Sequence, residues 1–162
     1  MIAVPETVSG YQVVSVGHGA FEEMPKLTNV VLPDAVEQID GNAFCKTTAM
    51  TSFSFPPNLR KIGDYAFSIS GISAIEMASV KELGISVFSQ CHNLSEIVWP
   101  GHLATIPEST FEECNNLKKV IVTDGVHTID KFAFAFCNSM KEIDIAHVNT
   151  LKTIGRFAFK NT

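Results

Sequence analysis

Residues 126–145 read VHTIDKFAFAFCNSMKEIDI, and the order of residue types in this stretch returns along the whole chain. Phe134 lies five residues after Ile129 and directly after Ala133; Cys137, Met140, Ile143 and Ile145 follow at fixed offsets. Anchored on that phenylalanine, equivalents stand at Phe21, Phe44, Phe67, Phe88, Phe111 and Phe159, so that successive anchors are separated by 23, 23, 21, 23, 23 and 25 residues. Five residues before each is an aliphatic: Val16, Ile39, Ile62, Leu83, Ile106, Ile129 and Ile154. Immediately before each is a small or β-branched residue: Ala20, Ala43, Ala66, Val87, Thr110, Ala133 and Ala158. Self-similarity at a period between about 20 and 50 residues is the mark of a solenoid, a propeller or an array.

Four more columns follow downstream. Leu27, Met50, Ile72, Leu94, Leu117 and Met140 form the first; Val30, Phe53, Ile75, Ile97, Val120 and Ile143 the second. Leu32, Phe55, Met77, Trp99, Val122 and Ile145 form the third; Val36, Leu59, Val80, Leu103, Val126 and Leu151 the last. The third repeat loses one residue before Ile72 and one between Met77 and Leu83, and the sixth gains two at Ala146–Thr150. Both changes keep the apolar columns and are expected on the outside of a coil.

The middle columns alternate with period two, so TNVVL (28–32), SEIVW (95–99) and KKVIV (118–122) are expected strands. Pro33, Pro56 and Pro100 would end them, having no N–H to donate. Strands one repeat apart cannot form hairpins and are expected to stack in parallel, about 4.8 Å apart. The other half of the unit, such as IDKFAFAFC (129–137), predicts a single helical or 3-10 turn with its phenylalanine inward. One unit alone buries too little to repay the ordering of its chain, so stacking on neighbours has to complete the core. Residues 6–11, ETVSGY, lengthen the first connection, with a turn expected at Ser9–Gly10.

These residues carry a resemblance. LRKIGDYAFSISGISAIEM (59–77), LATIPESTFEECNNLKKVIV (103–122) and VHTIDKFAFAFCNSMKEIDI (126–145) resemble the BspA-like leucine-rich repeats. The opening VPETVSGYQVVSVGHGAF (4–21) is similar to the entry into such arrays. The resemblance implies an α/β, strand-dominated solenoid: a right-handed coil with a parallel β-sheet on the concave face and short helical or 3-10 turns opposite. Residues 1–162 then form one solenoid of about six full repeats plus partial repeats at both ends. It also implies a bacterial or protist protein that is secreted or on the cell surface, associated with adhesion and protein–protein contact. The family has no catalytic residues to carry over. Thr47 and Ser70 depart from its cysteine position, and Ala78, Thr123 and Ala146 from its strand-ending proline.

Composition limits the alternatives. The net charge is −5, with no Lys/Arg-rich run, so the footprint of a nucleic-acid binder is absent. No apolar stretch reaches the roughly 18–20 residues needed to span a bilayer. The start, MIAVPETVSG, has no basic n-region and no long apolar h-region. The absence of a polar capping unit at either end suggests a segment of a longer array, or ends covered by a partner or by self-association.

Candidate chemistry is sparse. Cys91, Cys114 and Cys137 share a column with Met24, Thr47, Ser70 and Thr162, and stacked thiols could form a metal site, a disulfide or a buried packing ladder. No C-x-x-C spacing supports zinc, and three thiols in line do not pair evenly, which favours packing. Cys45 sits off the column and is expected to be exposed. His18, His92, His102, His127 and His147 occupy different places in the unit and form no H-x-x-x-H pair. No nucleophile elbow, P-loop or dinucleotide fingerprint occurs, so neither a catalytic residue nor a cofactor is expected.

Alternation sends the intervening strand residues outward. They are Asn29 and Val31, Ser52 and Ser54, Ala74 and Glu76, Glu96 and Val98, Lys119 and Ile121, and Glu142 and Asp144. Val31, Val98 and Ile121 are exposed aliphatics on this reading, with Glu76, Glu96, Lys119, Glu142 and Asp144 around them. An apolar centre with a charged rim suits a protein partner, although strands favour Val and Ile on solvated faces as well. Two further readings stand beside a protein-binding module: a structural spacer that displays another domain, and a carbohydrate-binding face. The last has only Asn29, Ser52 and Ser54 as neutral polar groups and no row of Trp or Tyr.

Overall fold

The computed structural model describes residues 1–162. Its strands, in chain order, are β1 (Ile2–Ala3), β2 (Thr7–Val8), β3 (Tyr11–Gln12), β4 (Ser15–Val16), β5 (Val30–Val31), β6 (Gln38–Ile39) and β7 (Lys61–Ile62). They continue as β8 (Glu82–Leu83), β9 (Glu96–Trp99), β10 (Thr105–Ile106), β11 (Lys119–Val122), β12 (Thr128–Ile129), β13 (Glu142–Asp144) and β14 (Thr153–Ile154). All pairings between coils are parallel. The one antiparallel pair is the β2–β3 hairpin, closed by Ser9 (φ 52°) and Gly10 (φ 81°) at the expected turn.

Most coils contribute two strand segments, in two separate ladders, where one sheet had been expected. The aliphatic column before the phenylalanines builds its own parallel ladder, β4–β6–β7–β8, resumed as β10–β12–β14. The break has a local cause. Gly63, Gly84, Asp130 and Gly155 each donate an N–H to the preceding coil (to Ile39, Ile62, Ile106 and Ile129), and Pro107, the equivalent residue between them, has none to give. The other strand half forms β1–β5 and β9–β11–β13, with no strand over Phe53–Phe55 or Ile75–Met77 between them. The gap spans the strand half of the second repeat and that of the shortened third.

The side opposite the strands contains no helix, α or 3-10, which corrects the expectation from the sequence. Each coil instead makes successive β-turns with left-handed residues four apart: Asn42 and Lys46, Tyr65 and Ile69, Ser86 and Gln90, Ser109 and Glu113, Phe132 and Phe136, at φ between 53° and 61°. Ser70 closes one such turn on the Phe67 carbonyl at 3.1 Å, with Ile69 in the position that needs positive φ. The turns free the phenylalanine N–H groups to bond outward. Phe44 donates to Ala66 at 2.7 Å, Phe67 to Val87 at 2.9 Å, Phe88 to Thr110 at 3.0 Å and Phe111 to Ala133 at 2.8 Å, always into the next coil. A helix would have turned those donors back into their own coil.

The core is a single continuous cluster running the length of the coil. At its centre the seven anchor phenylalanines stack. Ring centroids are 5.1 Å apart for Phe21–Phe44 and Phe44–Phe67, 5.8 Å for Phe67–Phe88 and Phe88–Phe111, 5.4 Å for Phe111–Phe134 and 5.5 Å for Phe134–Phe159. Interplanar angles stay between 1° and 23° in these pairs, a stacked arrangement set by the parallel coils rather than by ring preference alone. Trp99 meets Phe111 edge-on at 5.9 Å, and its indole N–H is satisfied by the Leu103 carbonyl at 3.1 Å.

Candidate functional site

The outward strand residues foreseen as a partner-binding face are brought together only in part. In β9–β11–β13, Glu96, Lys119 and Glu142 stand in register, and so do Val98, Ile121 and Asp144. Below them Ile97, Trp99, Val120 and Val122 are buried, so alternation along the strand does what the sequence implied. Val98 is 56% exposed; Ile121, flanked on both sides, is half-buried. Lys119 reaches Glu142 at 3.6 Å, while its other register neighbour, Glu96, has no ion-pair partner.

The remaining members lie apart. Ser54 and Glu76 are exposed but fall in the stretch without strands. Val31, 49% exposed, pairs with Ala3 in the β1–β5 sheet on the far side of that gap. The assembled face is therefore Glu96, Val98, Lys119, Ile121, Glu142 and Asp144.

The cysteine column is a buried ladder. Burial pushes the Cys91 and Cys137 thiols up to about 12 and Cys114 well above its ordinary range. A nucleophile or metal ligand needs the opposite shift. Cys45, expected at the surface, is only 7% exposed, and burial raises its pKa too. It occupies a column shared with Ser68, Ser89 and Ala135, small residues packed between the two rows of left-handed positions. No three His, Cys, Asp or Glu side chains converge where a metal ion could sit. His102 meets the Val80 carbonyl at 3.0 Å. No helix is long and apolar enough to cross a membrane.

Sequence reasoning left Phe132, Phe136 and Phe157 without a place. They are not in the spine; they occupy left-handed turn positions that face outward. The signal was their offset from the anchor column: each stands two residues from the spine phenylalanine of its own coil.

Comparison with known proteins agrees with this architecture. The model of the BspA type leucine rich repeat region matches over residues 14–134 and 104–162, in six copies. Among solved structures, the T. pallidum leucine rich repeat protein superposes with a TM-score of 0.82 at 27% identity, covering 94% of this chain and 72% of that one. A leucine rich cell surface protein from Faecalibacterium prausnitzii A2-165 gives 0.80 at 26% identity, covering 99% of this chain and 44% of its own length. A leucine-rich repeat protein from Bacteroides ovatus, at 24% identity and a TM-score of 0.65, shares the fold; it covers 91% of this chain and 50% of that one. No curated protein matches the sequence. With the repeat matched along nearly its whole length, the chain belongs to the BspA-type leucine-rich repeat family.

Proposed function

We propose that this chain is a non-catalytic protein-interaction module of a cell-surface or secreted protein, engaging its partner through the outward face of β9, β11 and β13. The observation that carries the reading is Val98, 56% exposed beside Ile121 in register, with Glu96, Lys119, Glu142 and Asp144 around the pair. A small apolar centre within a charged rim is the anatomy of a protein-binding patch. The similar leucine rich protein of Faecalibacterium prausnitzii is a cell surface protein, which supports the location.

The test immobilises the chain and probes it with extracellular-matrix and host-surface proteins. Charge reversal, Glu96→Lys with Lys119→Glu, is expected to abolish the interaction that the unaltered chain makes. Val98→Ser with Ile121→Ser should weaken it. Interactions that survive both pairs unchanged would sink the assignment of this face, and leave the valine and isoleucine as ordinary strand formers.

A further inference from the structure

We infer a second docking surface, on the turn side of the last two coils, that takes an acidic segment of a partner protein carrying an apolar side chain. Phe132 and Phe157 lie one coil apart with ring centroids 5.4 Å from each other. Phe136 stands across Ala135 from Phe132, and that alanine is fully buried. The Arg156 guanidinium carbon sits 4.4 Å above the Phe157 ring. Lys160 Nζ lies between rings, 5.2 Å from Phe157 and 5.5 Å from Phe136.

Two observations mark this cluster as more than chance surface. The first is backbone conformation. Phe132, Phe136 and Phe157 adopt φ of 57°, 61° and 59°, a region costly for a bulky side chain. Elsewhere the same two rows hold Gly19, Asn42, Ser86 and Ser109, or Glu23, Lys46, Gln90 and Glu113, with Tyr65 and Ile69 the bulky members of one other coil; only in the last two coils do bulky residues gather as three neighbouring rings. The strain brings no full burial in return: Phe132 and Phe136, with a coil on either side, stay part-exposed. The second is charge. Most cations of the chain are unpaired, but Arg156 and Lys160, which belong to no ion pair, are the two that rest on ring faces.

Three rings and two free cations lack an anion and an apolar cover. Aromatic and arginine side chains together dominate the energetic centres of protein interfaces. Carboxylates of a partner segment would accept N–H bonds from Arg156 and Lys160, while its apolar side chain covers the Phe132–Phe157 pair. Glu108, Glu112 and Glu113, one coil earlier, border the patch. They confine the positive area, which disfavours a membrane or a polyanion, since both draw on a broad basic surface.

The probe is a labelled synthetic peptide alternating Glu with Leu and Phe, compared with a counterpart carrying Lys in place of Glu. Phosphatidylserine vesicles and heparin form two further arms. The Glu peptide is expected to bind and to shift backbone amide resonances over residues 131–136 and 156–160. Arg156→Glu with Lys160→Glu should weaken it about tenfold or more. Phe132→Asn with Phe136→Asn should do the same while the melting temperature holds or rises, because asparagine suits a left-handed backbone. Val98→Ser with Ile121→Ser should leave this binding unchanged, separating it from the strand face. The inference is overturned if the Glu peptide fails to bind, if the Lys peptide binds equally, if either patch variant binds like the unaltered chain, or if vesicles or heparin bind more tightly.

Discussion

The thiol of Cys114 donates to the main-chain carbonyl of Phe88, one coil earlier, at 3.2 Å. Cys91 does the same to Phe67 and Cys137 to Phe111, both at 3.1 Å. Where the column carries threonine, the hydroxyl bonds within its own coil, Thr47 to Phe44 at 2.7 Å and Thr162 to Phe159 at 2.9 Å. Cysteine suits the column because it is small, apolar enough to be buried, and still a donor. The thiols therefore tie three successive coils to the carbonyl side of the aromatic spine in the coil before.

Burial this deep should make the ladder chemically silent. In the folded chain at pH 8, Cys91, Cys114 and Cys137 are expected to resist a thiol-specific chromogenic reagent, and all four cysteines to react in denaturant. Fast labelling of the native chain at any of the three column positions would contradict the burial described above.

The same thiols should make stability fall at high pH. In the folded chain Cys91 and Cys137 hold their protons until about 12, and Cys114 holds its own well above the ordinary value of 9.0. Their contribution is thus complete below pH 9 and drains away as the pH climbs toward 12, by about 1.4 kcal/mol per pH unit for each thiol. Denaturant midpoints measured between pH 8 and 11 should drop more steeply for this chain than for a variant with all three replaced by serine. Parallel curves would refute the linkage.

The aromatic spine should be most sensitive at its centre. Phe88→Ala or Phe111→Ala, each removing a fully buried ring stacked on both sides, is expected to cost about 3–5 kcal/mol. Phe21→Ala, at a half-buried end with one stacked neighbour, should cost less. Urea unfolding of the three variants gives the comparison; equal losses would mean that the rings do not act as one stack.

Close packing of the coils predicts a sharp contrast between glycines. A Cβ on Gly101 would lie 1.7 Å from the Asp124 carbonyl oxygen, whereas one on Gly17 would meet nothing within 4 Å. Gly101→Ala is expected to destabilise by about 1–3 kcal/mol or more, and Gly17→Ala to be close to neutral. Thermal melts decide the matter, and a neutral Gly101→Ala would show that adjacent coils sit farther apart there.

Tyr65 offers a gain. It occupies a left-handed position at φ 57° and is 43% exposed, while Gly19 and Asn42 hold the equivalent places in the two preceding coils. Tyr65→Asn should raise stability by about 0.5–1 kcal/mol, by relieving a side chain that the left-handed region tolerates poorly. A loss instead would indicate that the tyrosine ring makes a compensating contact.

Which residues lie inside, and how they align, can be read from the amino-acid order alone. A column of phenylalanines one period apart can be buried together only if the coils run parallel and in register, so spacing alone led to the spine, to parallel pairing and to the neighbours Val98 and Ile121. What the backbone does between columns follows only from the stacking of the coils. Whether IDKFAFAFC curls as a helix or as two left-handed turns depends on where its N–H groups find acceptors, and those acceptors belong to the next coil. The same coil-to-coil bonding buried Cys45, interrupted one ladder at Pro107, and placed Phe132, Phe136 and Phe157 outside. A repeat pattern records which side chains share a face; hydrogen bonds between repeats, formed only once the coils are stacked, set the conformation that presents them.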